Sequence, residues 1–215
     1  ACAAFTAAGL FQRLKSNERF QTMSTTKKTT SSKRPRYSGI IAHPTSFPGP
    51  YGIGDLGRGA YDFIDFLDKA GQSIWQCLPL GPTGFGDSPY SAYSAFAGQP
   101  LIISPDLLKE DGLISEHDLY APGDFNDYSV NYGAVTAWKT EMLHKAFHNF
   151  RNSDNKALHN EFSEFRKEEK NWLDDYALYM SIREASGHKP WTEWDDTHRN
   201  PDRKTYKELL KEFAE

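Results

Sequence analysis

The chain has 215 residues, more than one average domain and less than two comfortable ones, with 38% hydrophobic residues to fill a core. A formal net charge of -4 supplies no basic face and argues against nucleic acid as a partner. No apolar run approaches the roughly 18 residues of a membrane span, which argues against a membrane partner, and Cys2 and Cys77 alone build no disulfide framework, which fits a reducing compartment.

Residues 1–36 stand apart from the rest. They are rich in Ala, Ser, Thr, Lys and Arg, and Glu18 is their only acid. That is the bias of an organelle transit peptide, with a disordered tail as the plainer reading. The first residue is not Met and the last stretch, "YKELLKEFAE", has no helix stop, so the natural polypeptide is expected to be longer.

The second expected unit covers residues 37–100. Tyr37 to His43 ("YSGIIAH") reads as a short buried strand, followed by a loop stiffened by Pro44, Pro48 and Pro50. An amphipathic helix is predicted from about Leu56 to Ala70, with Ala60, Phe63, Ile64 and Leu67 on one face. Asp55 is placed to cap its start and Gly71 to end it. Ser73 to Leu80 ("SIWQCLPL") reads as a second buried strand, its near-continuous apolar character typical of a covered parallel sheet. Strand, helix, strand in this order predicts a right-handed β–α–β unit.

The third expected unit, residues 101–215, is mostly helical. "LIIS" (Leu101 to Ser104) is predicted as one more short strand. Val135, Trp138, Met142 and Ala146 then share a helix face. Phe162, Phe165 and Glu169 begin a weaker face, and Trp172, Tyr176 and Met180 mark another, with Leu173, Ala177 and Ile182 alongside. A last amphipathic segment starts near Pro201.

Gly52-Ile-Gly54-Asp-Leu-Gly57 matches the G-x-G-x-x-G pattern of dinucleotide-binding loops, but its surroundings do not. In such loops the first glycine follows the strand almost at once. Here "PTSFPGPY" intervenes after His43, and prolines hold it open. The pattern also wants an acid about 20 residues on to hold the ribose. No Asp or Glu occurs between Lys69 and Asp87. The glycines are therefore expected to turn the loop back over the strand end.

The loop after the second strand is the best site candidate on physical grounds. "GDSPYSAYSAFAG" sets Asp87, Ser88, Tyr90 and Tyr93 beyond a strand's carboxyl end, where ligands of parallel α/β sheets and barrels bind. A tyrosine there can stack on the apolar face of a pyranose and hydrogen-bond through its hydroxyl. The competing reading is that Tyr90, Tyr93 and Phe96 only pack the loop on its neighbours. His144 and His148 lie one helical turn apart, but Lys145 stands where the zinc-protease motif has Glu, and no third ligand is evident. Asp174-Asp175 and Asp195-Asp196 are adjacent pairs rather than carboxylates facing across a cleft, and "RKEEK" from Arg166 to Lys170 reads as an exposed face.

Three ordered segments, "HPTSFPGPYGIGDLG", "WQCLPLGPTGFGDSPYSAYSAFAG" and "WLDDYALYMSIREASGHKPWTEW", resemble the 4-alpha-glucanotransferases of glycoside hydrolase family 77, also called amylomaltases or disproportionating enzymes. With the transit-like leader, the resemblance is to a plant plastid version. It implies an α/β fold, the N-terminal part of a (β/α)8 barrel with an inserted helical subdomain. It also implies transfer of an α-1,4-glucan or maltooligosaccharide segment to the 4-hydroxyl of glucose or another glucan, with no nucleotide or redox cofactor. Configuration is retained, which needs a nucleophilic carboxylate and a second carboxyl group about 5 to 5.5 Å apart.

By the same resemblance the catalytic acids belong to later barrel strands, past Glu215, so no catalytic residue is assigned here. What carries over is the "GDSPY" loop: Tyr90 stacking in the donor part of the cleft, Ser88 hydrogen-bonding nearby, and Asp87 either touching glucan or holding the loop's shape. A non-catalytic carbohydrate-binding remnant is the alternative reading. Oligomeric state is not legible in the sequence.

Overall fold

The computed structural model describes residues 36–213 apart from Pro122, Asp124 and Asp127. The transit-peptide reading therefore falls, but for Arg36, outside the described residues. Strands β1 (Gly39–Ile41) and β2 (Ile74–Gln76) pair in parallel, Gly39 opposite Ile74 and Ile41 opposite Gln76. Bonds from Ser73 N–H to the Ser38 carbonyl and from Ala42 N–H to the Gln76 carbonyl extend the ladder at both ends. Helix α1, Arg58–Lys69, connects them, giving the expected β–α–β order.

Helix α1 buries Ala60, Ile64 and Leu67, the face set by its sequence period. Phe63 adds a ring group with Phe47 (4.9 Å between centroids) and Trp75 (5.3 Å, edge-on). The helix ends as expected at Gly71, whose φ of +66° is the left-handed turn of a Schellman cap. There Gly71 N–H donates to the Asp68 carbonyl and Gln72 N–H to that of Leu67. At the start the expectation needs correction. Gly57, not Asp55, is the N-cap, and Asp55 Oδ1 accepts from Gly57 N–H at 2.8 Å.

Both strands are shorter and more open than the sequence predicts. Ile41 is 66% exposed and Ile74 45%. Only Ile40 and Trp75 turn inward, because α1 covers one face of a two-stranded sheet. The continuous apolar run from Ser73 to Leu80 suits a strand covered on both faces, and within the described residues one face lacks its cover.

"LIIS" is not a strand. Pro100–Ile102 form a 3₁₀ turn capped by the Gln99 side chain, which accepts from Leu101 N–H. Its carbonyls have partners other than a neighbouring strand. Ile102 accepts from Leu56 N–H at 2.9 Å. Leu101 and Ile103 accept from the Lys139 ammonium at 2.7 and 3.0 Å. Lys139 lies fully buried on the long helix α3, Tyr132–Arg151, reached through the short helix α2, Pro105–Glu110.

Helix α3 buries Val135, Trp138, Met142 and Ala146 as predicted. Trp138, Met142 and Ala146 pack with Tyr51, Ile103, Leu108, Leu113, Ile114 and Phe150 in the main core, where the Tyr51 ring stacks on Trp138 at 5.7 Å. Helices α4 (Lys156–Glu168) and α5 (Leu173–Ala185) follow, then α6 (Asp196–Arg199) and α7 (Arg203–Glu212). Leu178 and Ile182 of α5 join Trp194 and Leu209 in a separate core.

The three glycines of the G-x-G-x-x-G run are packing devices. A Cβ at Gly52 would sit 2.4 Å from the Phe125 ring, and its φ is +71°. At Gly54 it would lie 2.1 Å from the Pro44 carbonyl oxygen, and at Gly57 2.3 Å from Ser104 Oγ. Each glycine therefore lets the loop approach a neighbour more closely than a side chain would allow. Gly54→Ala should cost roughly 3 kcal/mol or more, since backbone atoms cannot swing aside. Gly59→Ala, whose nearest neighbours would be 3.6 Å away, should be neutral or stabilising by up to about 1 kcal/mol. Urea unfolding of both variants checks the contrast.

Burial pushes the Lys139 ammonium down to about 8, while Asp55 pulls weakly the other way. The folded value lies below the unfolded 10.5, so between the two the unfolded chain holds more protons and stability rises with pH. The neutral amine still offers N–H groups to both carbonyls. Lys139→Met keeps the stem but does not titrate. The melting temperature of the natural protein should therefore climb relative to this variant from about pH 8 to about pH 10. Parallel profiles would show that burial does not lower the Lys139 pKa in the folded protein.

Candidate functional site

The candidate loop is a closed stalk with a short tip. Gln99 N–H donates to the Leu80 carbonyl at 2.7 Å, Tyr93 N–H to that of Pro82 at 3.0 Å, and Gly84 N–H to that of Ser91 at 2.7 Å. Thr83 and Ala92 form an antiparallel bridge, and the Gln99 side-chain amide donates to Thr83 Oγ1 at 2.8 Å. Ser94 Oγ accepts from the N–H groups of Phe96 and Ala97. These bonds satisfy a backbone that has neither helix nor sheet, so the tip is presented on a fixed stem.

At the tip, Phe85–Asp87 make a 3₁₀ turn in which Gly86 (φ 70°) and Asp87 (φ 53°) both adopt left-handed conformations. For Asp87 that geometry is tolerable because a short polar side chain suffers less in this region. Asp87 is exposed and is the only acid between Gly81 and Pro100. Ser88 is half-buried, and its hydroxyl oxygen accepts from Tyr90 N–H at 3.3 Å. That contact fixes the turn and leaves the O–H free to donate.

Tyr90 is 74% exposed, and among the described residues no ring or hydrogen-bond partner takes its side chain. Its near neighbours differ. The Tyr93 hydroxyl accepts from Arg183 Nη2 at 3.0 Å, with the guanidinium carbon 4.6 Å above the ring. Phe96 stacks on Trp172 at 5.9 Å. Tyr93 and Phe96 thus each rest on a partner, although Phe96 stays 66% exposed, whereas the Tyr90 ring rests on none among the described residues. Arg183 is the participant the sequence reading missed.

The two connections that leave the carboxyl ends of β1 and β2 are also tied together. His43 places Nδ1 at 2.7 Å from Thr45 Oγ1 and Nε2 at 3.4 Å from the Pro79 carbonyl. Burial lowers its pKa, which favours the neutral ring. Chemically, the loop can stack against and hydrogen-bond a flat-faced polyol. With Asp87 as its one acid, it offers no carboxylate pair for proton transfer.

Comparison with known proteins gives this arrangement a context. The profile of glycoside hydrolase family 77, described as 4-alpha-glucanotransferase, matches residues 42–215. A 4-alpha-glucanotransferase of Synechocystis is 49% identical over 160 residues, 74% of this chain and 32% of that protein. The chloroplastic/amyloplastic 4-alpha-glucanotransferase of Solanum tuberosum is 38% identical over 171 residues, 77% of this chain and 29% of its own. A solved amylomaltase of Streptococcus agalactiae, in complex with acarbose, superposes with a TM-score of 0.77 at 38% identity, over 84% of this chain and 36% of that one. The chain spans about a third of the length of these relatives. The superposition bears out the expected fold class, the N-terminal part of an amylomaltase-type barrel fold. A profile match over most of the chain, joined to these identities, establishes that the chain belongs to glycoside hydrolase family 77, the 4-alpha-glucanotransferases.

Proposed function

We propose that this chain is a portion of a 4-alpha-glucanotransferase that moves an α-1,4-glucan segment to the 4-hydroxyl of glucose or another glucan. Its contribution is a glucan-contacting surface. The observation that carries this reading is the Tyr90 ring, 74% exposed at the tip of a stalk closed by its own hydrogen bonds. A ring held open to solvent on a rigid support can stack on a sugar with little ordering cost. Ser88, one turn away, supplies a hydroxyl donor to the same sugar. Asp87 sets the left-handed bend that carries them. The catalytic carboxylates of a retaining reaction lie in sequence other than this chain. Maltooligosaccharides fit as substrates, and acarbose, bound by the streptococcal relative, mimics such a chain. A plastid location is supported by the name of the potato relative and by the composition of residues 1–36.

The activity test uses the protein expressed from its full reading frame and maltotriose as substrate, with glucose release as the readout. Tyr90→Ala should lower kcat/KM about tenfold, and Tyr90→Phe, which keeps the ring, by about twofold or less. Glucose release from maltotriose that is indifferent to Tyr90→Ala would remove the stacking role.

Asp87 separates shape from contact. Asp87→Gly adopts the same left-handed backbone freely and should leave KM within about twofold, while Asp87→Ala strains the turn by about 1 kcal/mol and should raise it. Equal losses in both would mean the carboxylate itself touches glucan.

A further inference from the structure

We propose that Arg183 is a positioning residue: by clamping Tyr93 from the last turn of α5, it holds the stalk that presents Tyr90. This rests on the reading of Tyr90 as the glucan platform. The guanidinium makes two contacts with one residue, donating from Nη2 to the Tyr93 hydroxyl at 3.0 Å and lying 4.6 Å from the ring centre. Its other arm, Nη1, meets Nδ1 of His188 at 3.0 Å. His188 is itself fixed, with φ at +61° and its N–H donating to the Arg183 carbonyl at 2.8 Å. The chain therefore folds back after α5 to hold the arginine that holds the loop.

Arg183, like Arg151 over Phe147, faces a ring rather than a carboxylate, but it also hydrogen-bonds the ring's hydroxyl. Arg58, Arg166 and Arg199 each pair with a carboxylate, whereas among the described residues the Arg183 guanidinium makes no ion pair. Its donors go to a phenol and an imidazole, in a fork geometry that lysine cannot copy. A second contact, the stack of Phe96 on Trp172, grips the same loop at the other end of α5. Trp172 is held in turn by its indole N–H, which donates to Glu169 at 2.6 Å.

The mechanical consequence follows from the stalk. Tyr93 N–H closes the ladder on Pro82, directly beside the Thr83–Ala92 bridge. Freeing the Tyr93 ring loosens that rung, and the Tyr90 tip lies just past it. The Tyr90 ring has no partner of its own among the described residues, so its orientation depends on this stem. Loss of the clamp then shifts ordering cost into the glucan-binding step.

The test uses the protein from its full reading frame, with hydrogen exchange at the amides of Gly84, Tyr93 and Gln99 and with maltotriose kinetics. Arg183→Ala should speed exchange at these amides about three- to tenfold while leaving Ala42 and Ser73, in the β1–β2 ladder, unchanged. It should raise KM by a similar factor with kcat within about twofold, and Arg183→Lys should recover only part. Tyr93→Phe, which removes just the hydroxyl acceptor, should shift both readouts less and in the same direction. In a Tyr90→Ala background, Arg183→Ala should add no further rise in KM. Unchanged stalk exchange in Arg183→Ala would overturn the clamp whatever the kinetics. Faster exchange, with KM unmoved by both Arg183→Ala and Tyr90→Ala, would instead overturn the glucan platform and leave the clamp standing.

Discussion

A single buried ammonium organises the turn from Leu101 to Ile103. Lys139 reaches from α3 to the carbonyls of Leu101 and Ile103, and Leu56 N–H takes the carbonyl between them. Three consecutive acceptors are thereby satisfied without a neighbouring strand, and the segment is free to turn. In a 3₁₀ turn successive side chains point about 120° apart. Leu101 and Ile102, within the turn, accordingly enter different clusters, one with Ile53 and Val135 and one with Leu56 and Ala60, and the extended Ile103 that follows enters the main core with Trp138. A strand, alternating between two faces, could serve only two of these. The cost is a charge in an apolar place, and burial depresses its affinity for the proton.

The glycine run extends the same close packing to the strand ends. Gly54 lets the loop lie on the Pro44 and Phe47 backbone, and Gly57 lets α1 start against Ser104 and Asp55. These approaches bring Leu56 within reach of the Ile102 carbonyl. A pattern that elsewhere brings backbone close to pyrophosphate here brings it close to the protein's own backbone and side chains. The difference lies in what precedes it, an eight-residue connection with prolines rather than a tight turn off the strand.

Features set by local period or by punctuation were legible in the sequence. The α1 and α3 faces, the β–α–β order and the Gly71 cap all follow from spacing that neighbours alone decide. "LIIS" misled because β-branched content suits a strand, while its state is decided by a lysine more than 30 residues away. That lysine left one trace: position 139 falls four residues after Val135, inside the apolar stripe of α3, where a charge needs a partner. Residue chemistry alone does not tell Tyr90 from Tyr93, since both sit in one irregular loop without a period, and only the family resemblance singles out Tyr90. The distinction comes from Arg183, 90 residues from Tyr93, and no local pattern announces a contact at that range.

The same accounting gives six of the aspartates a structural partner. Asp106 accepts from the Tyr51 hydroxyl, Asp118 caps Ser115 and pairs with Lys145, and Asp55 accepts from Gly57. Asp174 pairs with Arg166, Asp175 accepts from Tyr206, and Asp196 pairs with Arg199. Each serves the fold, and these six lie outside the stalk loop that carries Tyr90. A retaining glycosyl transfer needs two carboxyl groups facing one another across a sugar, about 5 to 5.5 Å apart. Under the proposed function, then, this chain works on the substrate by stacking and orientation. The rigidity of the Tyr90 stem, more than any titrating group in the chain, is what it brings to the reaction.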